Sequence, residues 1–239
     1  MVRGAGAIGA IHLVGRKNYQ RRRNDAQLAK TDKGRETMSS EAPSVRHKRL
    51  RRAVIMCTRL LENIAYHRTL IAAFKSGATK MSRPMCSASD NYMDTAVTTW
   101  CKLFGVVSNN RHHWRKIVGD AAAQASFEQD MLAAIGCDAD QWAKFRDAML
   151  AKRDKFLAHQ DDENTENNPV LDLAVKSTAY LHRYVLAHFG NLGNFADLQQ
   201  DPDAWYAHCT GEGEAEFTLT SKKADGELRR YSIEAKRGR

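Results

Sequence analysis

From Ser44 onward the apolar positions recur at three- and four-residue steps. Leu50, Val54, Cys57, Leu61, Ile64, Ile71 and Phe74 follow this spacing, with Arg68 filling one slot. The pattern predicts a long amphipathic helix ending near Gly77. Met81 to Ala88, with Pro84, reads as a connector. Ser89 or Asp90 can then cap a second helix through Tyr92, Val97, Trp100, Leu103 and Phe104, stopped by Gly105. Asn109 to Trp114 breaks the periodicity. Ser126 can cap a short helix carrying Phe127, Met131 and Leu132, ending at Gly136. Asp138 or Asp140 opens the next, with Trp142, Phe145, Met149 and Phe156 on one stripe and Lys152 in one slot. Pro169 suits the first turn of the last long helix, whose stripe is Leu171, Ala174, Thr178, Leu181, Val185 and Phe189. Past Gly190, Asp201-Pro202 starts a short turn around Trp205. Two alternating runs, Glu214–Ser221 and Glu227–Ala235, flank Asp225-Gly226 and predict a β-hairpin.

The expected fold class is therefore all-α: an antiparallel helical bundle over residues 44–190. A basic and largely disordered tail occupies residues 1–43, and residues 191–239 form a C-terminal appendage with the hairpin. The net charge of +9 is concentrated early. Residues 1–52 hold fourteen Lys and Arg against four acids, so the remainder is close to neutral. On this reading the basicity belongs to the tail, where it attracts RNA or another polyanion without specificity. No run of apolar residues is long enough to span a membrane. The five cysteines are an odd number with no CxxC pair, the usage of a reduced cytoplasmic protein. Gly4-Ala5-Gly6-Ala7-Ile8-Gly9 matches a dinucleotide-binding pattern. It lacks the strand before it and the crossover helix after it that the mechanism requires, and is set aside.

Two stretches carry candidate chemistry. Arg153-Asp154-Lys155-Phe156-Leu157-Ala158-His159 ends a helical segment and runs into a polar, acidic loop, Gln160 to Asn168. On a straight helix Arg153 and His159 stand about 120° apart and border the same apolar stripe. One reading is a helix end with a half-buried histidine and an arginine paired to Asp154 or Asp161. The other is a groove in which His159 moves a proton at a ribose 2′-oxygen while Arg153 offsets charge on the attacked phosphate. The second stretch, Asn109-Asn110-Arg111-His112-His113-Trp114, offers stacking and hydrogen-bonding groups of the kind that read unpaired RNA. A polar loop with one buried tryptophan is the competing reading. The histidines and cysteines have no zinc-like spacing, so neither a metal nor a cofactor is expected.

Trp100-Cys101-Lys102-Leu103-Phe104-Gly105, then His113-Trp114, then the Arg153–His159 stretch and Asn168-Pro169 resemble the HEPN superfamily, most of all its abortive-infection (AbiU-type, phage-defence) branch. The family motif is an arginine, usually followed by a polar residue, and a histidine after four to six residues. Here five intervene. The resemblance covers roughly residues 50–190. It implies an all-α bundle that forms a homodimer, with two Arg/His pairs facing each other. It also implies a metal-independent endoribonuclease of toxin or defence type that leaves a 2′,3′-cyclic phosphate. By that resemblance Arg153 and His159 would be catalytic and Asp154 a polar helper; the loop chemistry adds Arg111, His112, His113 and Trp114 as candidate RNA-binding residues. An antitoxin or other regulatory partner fits such a toxin. Asp161 occupies the place of the tyrosine through which a nucleotidyltransferase partner often silences such toxins, so that control is not expected here. The alternative is a catalytically silent module that binds nucleotide, RNA or a partner protein.

Overall fold

The computed structural model describes residues 43–77, 82–108, 110–154, 169–192 and 195–217. The N-terminal tail, Asn109, His159, the acidic loop after it and the hairpin turn at Asp225-Gly226 lie outside these residues. Apart from the start of the first helix, the described residues all belong to the compact unit Arg46–Arg239.

Seven α-helices run through the described residues, which contain no strand. They are α1 (Pro43–Lys75), α2 (Arg83–Phe104), α3 (Trp114–Val118), α4 (Ala121–Ile135), α5 (Ala139–Lys152), α6 (Asp172–Phe189) and α7 (202–217). A single 3-10 turn, Gly190–Leu192, follows α6. The all-α expectation holds at this level. Local chemistry explains where the helix boundaries differ from the expected ones. Ser82, not Ser89, caps α2, its hydroxyl accepting from the Met85 N–H, and Pro84 sits in the first turn where no N–H is needed. The expected connector is thus helix, and Ser89 is buried. Asp120 caps α4 six residues before Ser126, which lies inside the helix and bonds Asp130. Asp138 opens α5 with a reciprocal capping box: Gln141 N–H to Asp138 Oδ1 at 2.7 Å, and Asp138 N–H to Gln141 Oε1 at 3.1 Å. Gly136 ends α4 at φ 65°, a left-handed position that glycine adopts at little cost.

One expectation is corrected. Glu214 to Phe217, assigned to the first strand of a hairpin, are the last described residues of α7. Gly213, just before them, is buried while Glu214, Ala215 and Glu216 are exposed, so no alternation of inward and outward faces survives. At Gly213 a Cβ would stand 2.3 Å from Thr69 Oγ1, so only glycine lets α7 approach α1 this closely. The remaining strand positions lie outside the described residues. Residues 195–217 pack along α1 rather than apart from it: Arg51 pairs with Asp197, and the Tyr66 hydroxyl donates to Glu212 at 3.0 Å.

About 50 Å of α1 forms the spine. It runs antiparallel to α2, where His67 meets Ser89 and Tyr66 meets Tyr92, and antiparallel to α6, where Arg68 pairs with Asp172 and Arg46 lies over Phe189. Helix α7 meets the C-terminal half of α1, Tyr206 at Arg68 and Glu212 at Tyr66. Trp100 is fully buried at the centre. Its ring lies 5.3 Å from Phe104, 5.6 Å from Trp142 and 5.1 Å from Phe145, and its Nε1–H donates to Ser177 on α6 at 3.1 Å. Truncating such a residue to alanine costs about 3–5 kcal/mol. A second aromatic cluster joins Trp114 to Phe127 at 4.9 Å and Phe127 to Tyr184 at 4.8 Å, seating α3 and α4 on α6.

Candidate functional site

Arg153 follows the last residue of α5 and keeps right-handed winding at φ −59° and ψ −48°. With Asp154 it enters a wider, π-type turn, a local rewinding often found at functional positions. Its Nε donates to Asp154 Oδ1 at 2.7 Å and its Nη2 lies 2.6 Å from the same oxygen, with 27% of the side chain exposed. The fold therefore contains the pairing expected of an ordinary helix end. A phosphate reaching Arg153 would have to share it with Asp154 or displace it. On the inner side Arg153 neighbours Cys101 of α2. Burial pushes that thiol up to about 12, Arg153 pulling the other way, so it stays protonated and its Sγ–H meets the Met149 carbonyl at 3.5 Å. Lys152, the polar member of the apolar stripe, is buried beside Trp142, Phe145 and Met149. His159, the other half of the expected catalytic pair, is outside the described residues.

The four expected RNA-binding residues split into two pairs. Trp114 is 3% exposed and stacks in the second aromatic cluster. His113 is 2% exposed and caps α3: Nδ1 accepts from the Arg115 N–H at 3.2 Å, and Nε2–H donates to the Gly105 carbonyl at 3.3 Å. Both ring nitrogens are engaged, and burial pushes the imidazole down to about 4. Neither ring is accessible to a base, so for these two residues the competing reading describes the geometry. Arg111 and His112 face outward.

Their orientation follows from Asn110, whose Nδ2 donates to the Val106 carbonyl at 2.8 Å and approaches the Cys101 carbonyl at 3.5 Å. This folds the loop back on the end of α2. Arg111 and His112 thereby close one end of a groove of about 750 Å³ between α1 and α2. Helix α1 lines it with Arg52, Ile55, Met56, Arg59, Glu62 and Asn63, spaced as one helical face. Helix α2 contributes Thr95, Thr99 and Lys102, again one face. Four permanent cations thus confront a single carboxylate, Glu62. Burial lowers the basicity of His112, and Arg52, Arg49, Arg111 and Lys102 lower it further. Arg153 and Asp154 do not line this groove. Sequence reasoning missed Arg52, Arg59 and Lys102. The available signal was the basic pair at a seven-residue spacing on the face of α1 opposite its apolar stripe.

Among the described residues no three His, Cys, Asp or Glu side chains converge as a metal site would require. No described helix is long and apolar enough to cross a membrane. All five cysteines are free thiols. The chain matches no protein-family model, no curated protein and no solved structure with which it was compared.

Proposed function

We propose that this chain is a metal-independent endoribonuclease of the HEPN type, acting in defence or as a toxin. The ribose 2′-oxygen loses its proton and attacks the adjacent phosphorus. The bond to the 5′-oxygen breaks, that oxygen takes up a proton, and a 2′,3′-cyclic phosphate and a 5′-hydroxyl remain. In this reading Arg153 offsets the charge that builds on the phosphoryl oxygens and His159 moves the protons. Asp154 fixes the guanidinium. The observation that carries the proposal is an arginine braced at 2.7 Å by its neighbouring carboxylate on a rewound helix end, partly exposed, in a helical bundle. Two proton transfers ask for two groups, and a homodimer with its axis beside these residues supplies the second by symmetry.

A second reading, an RNA-binding module without catalysis, is favoured by one observation. The Arg153 guanidinium is already engaged with Asp154, whereas four cations gather around one carboxylate at the α1–α2 groove. Incubating the purified protein with total RNA in EDTA separates the two. New 3′ ends bearing 2′,3′-cyclic phosphate are expected, and Arg153→Ala or His159→Ala should reduce them about 10²–10⁴-fold with helical content unchanged. Intact RNA after incubation with wild type removes the nuclease reading.

A further inference from the structure

Arg51, Arg68, Arg115, Arg146, Arg153 and Arg183 each have a carboxylate within ion-pair distance. Arg52, Arg59, Lys102 and Arg111 instead line the one groove, where Glu62, under the influence of Arg59, is the single carboxylate among the lining residues. Folding alone does not call for this. Holding four like charges around one carboxylate is repulsive, and the cost is screened only where the groups remain in water. A surface that keeps such a cluster is complementary to an anion.

The shape narrows the choice. Arg52 and Asn63 are eleven residues apart on α1, so the lined face extends about 16 Å along the helix. Arg52 and Arg59 stand two turns apart, Lys102 faces them from α2, and Arg111 closes the end. Charges distributed along an open trough fit a chain with repeated anionic groups better than one compact anion. Between the cations lie Asn63, Thr95 and Thr99, which both donate and accept hydrogen bonds. An acidic peptide presents side chains that only accept, its donors being confined to the backbone N–H groups. A ribose strand presents 2′-hydroxyls and base edges that use both roles. Ile55 and Met56 in the wall add apolar surface for base faces.

We propose that the α1–α2 groove binds a single strand of RNA, its phosphates taken by Arg52, Arg59, Lys102 and Arg111. This deepens the nuclease reading by assigning the groove as its substrate-binding surface, but the binding site stands whether or not the strand is cut. Arg52 and Arg59 are exposed, so replacing them disturbs no packing of the core; Arg59 acts electrostatically on Glu62 of the same wall.

The test uses the full chain carrying His159→Ala, which prevents loss of the probe, and a fluorescein-labelled single-stranded 12-mer RNA read by anisotropy across a salt series. Arg52→Glu/Arg59→Glu should weaken binding at 0.1 M salt by at least tenfold. It should also reduce the slope of log K against log salt by about 1.4, two single-strand phosphate contacts at about 0.7 each. Arg52→Gln/Arg59→Gln should give the same slope change with a smaller loss. The control Lys75→Glu/Arg83→Glu makes the same change in net charge outside the groove and should cost less than threefold. Equal losses in the groove and control variants overturn the proposal, as does wild-type binding by the groove variants. Polyglutamate competing as well as unlabelled RNA also overturns it. Cleavage by the chain with native His159 is scored separately. Groove-dependent binding without any cleavage sinks the nuclease and keeps the site. Cleavage untouched by Arg52→Glu/Arg59→Glu sinks the groove and keeps the nuclease.

Discussion

Acid should destabilise this protein through two buried imidazoles, beginning near pH 6.5. His113 is held neutral by its two hydrogen bonds. A proton added at Nδ1 would remove the acceptor that caps the Arg115 N–H and place a cation beside Arg115 and Lys116. His182 is fully buried on α6. Burial pushes it down to about 4, with the Gln199 backbone, Asp201 and Asp203 opposing and Arg183 reinforcing the shift. Each group has a folded pKa below the ordinary 6.5 of an unfolded chain, so the unfolded state binds more protons in between. Stability is complete above about pH 6.5 and falls as the pH drops toward 4. At pH 4.5 the loss is about 2.5 kcal/mol per histidine, or about 5 kcal/mol for both, against a typical total of about 5–15 kcal/mol. Asp197 and Asp201, both held below the ordinary carboxylate range, add their losses only at still lower pH. Urea unfolding at pH 7 and pH 4.5 measures the effect. His113→Asn keeps a capping oxygen without a titrating ring. Combined with His182→Gln, it should lessen the loss of stability between the two pH values by about 5 kcal/mol. If wild type and the double variant lose the same amount, the argument from burial is wrong.

Ser177→Ala should destabilise by about 1–3 kcal/mol, because it leaves the Trp100 Nε1–H buried without an acceptor. In thermal melts Trp100→Phe should cost less in that background than in wild type, because the N–H it removes is already without its partner; equal costs would show no coupling. Gly213→Ala should cost about 1–3 kcal/mol through its clash with Thr69 Oγ1, which is itself tied to the Ala65 carbonyl. Adding Thr69→Ala should relieve it, and no relief would show that the approach of α7 to α1 is misread. RNA binding in the groove should strengthen as the pH falls toward the depressed range of His112, below the ordinary imidazole value, since phosphates offset the cations that, after burial, hold it down. A flat affinity between pH 7.5 and 5.5, with His112→Asn identical to wild type, would exclude that coupling.

Helix positions were legible in the sequence wherever one apolar stripe faced one core. The stripes of α1, α5 and α6 appear in the fold largely as spaced, with Leu50, Val54, Cys57, Leu61 and Ile64 all fully buried. Boundaries were less legible because several residues could serve as caps. Ser89 and Ser126 have the right side chain, yet packing buries the first against His67 and places the second in mid-helix. The start of the first C-terminal run, Glu214 to Phe217, was misread for a related reason. The alternation of Glu214 to Phe217 reads as a strand, but only docking on α1 explains the small residue at Gly213, and no local pattern encodes that partner.

The candidate site shows the same limit in its charges. Summing residues 1–52 assigned their excess of positive charge to a tail, but α1 begins at Pro43, so Arg46, Lys48, Arg49, Arg51 and Arg52 stand on the folded spine. What separates them is the side of the helix each occupies. Arg51 turns toward Asp197 and is neutralised, whereas Arg52, about 100° further round, turns toward Lys102 and Arg111 and is not. A segmental sum assigns equal weight to both. The groove emerges only when each charge is placed on its helical face and its counter-ions, distant in sequence, are counted beside it.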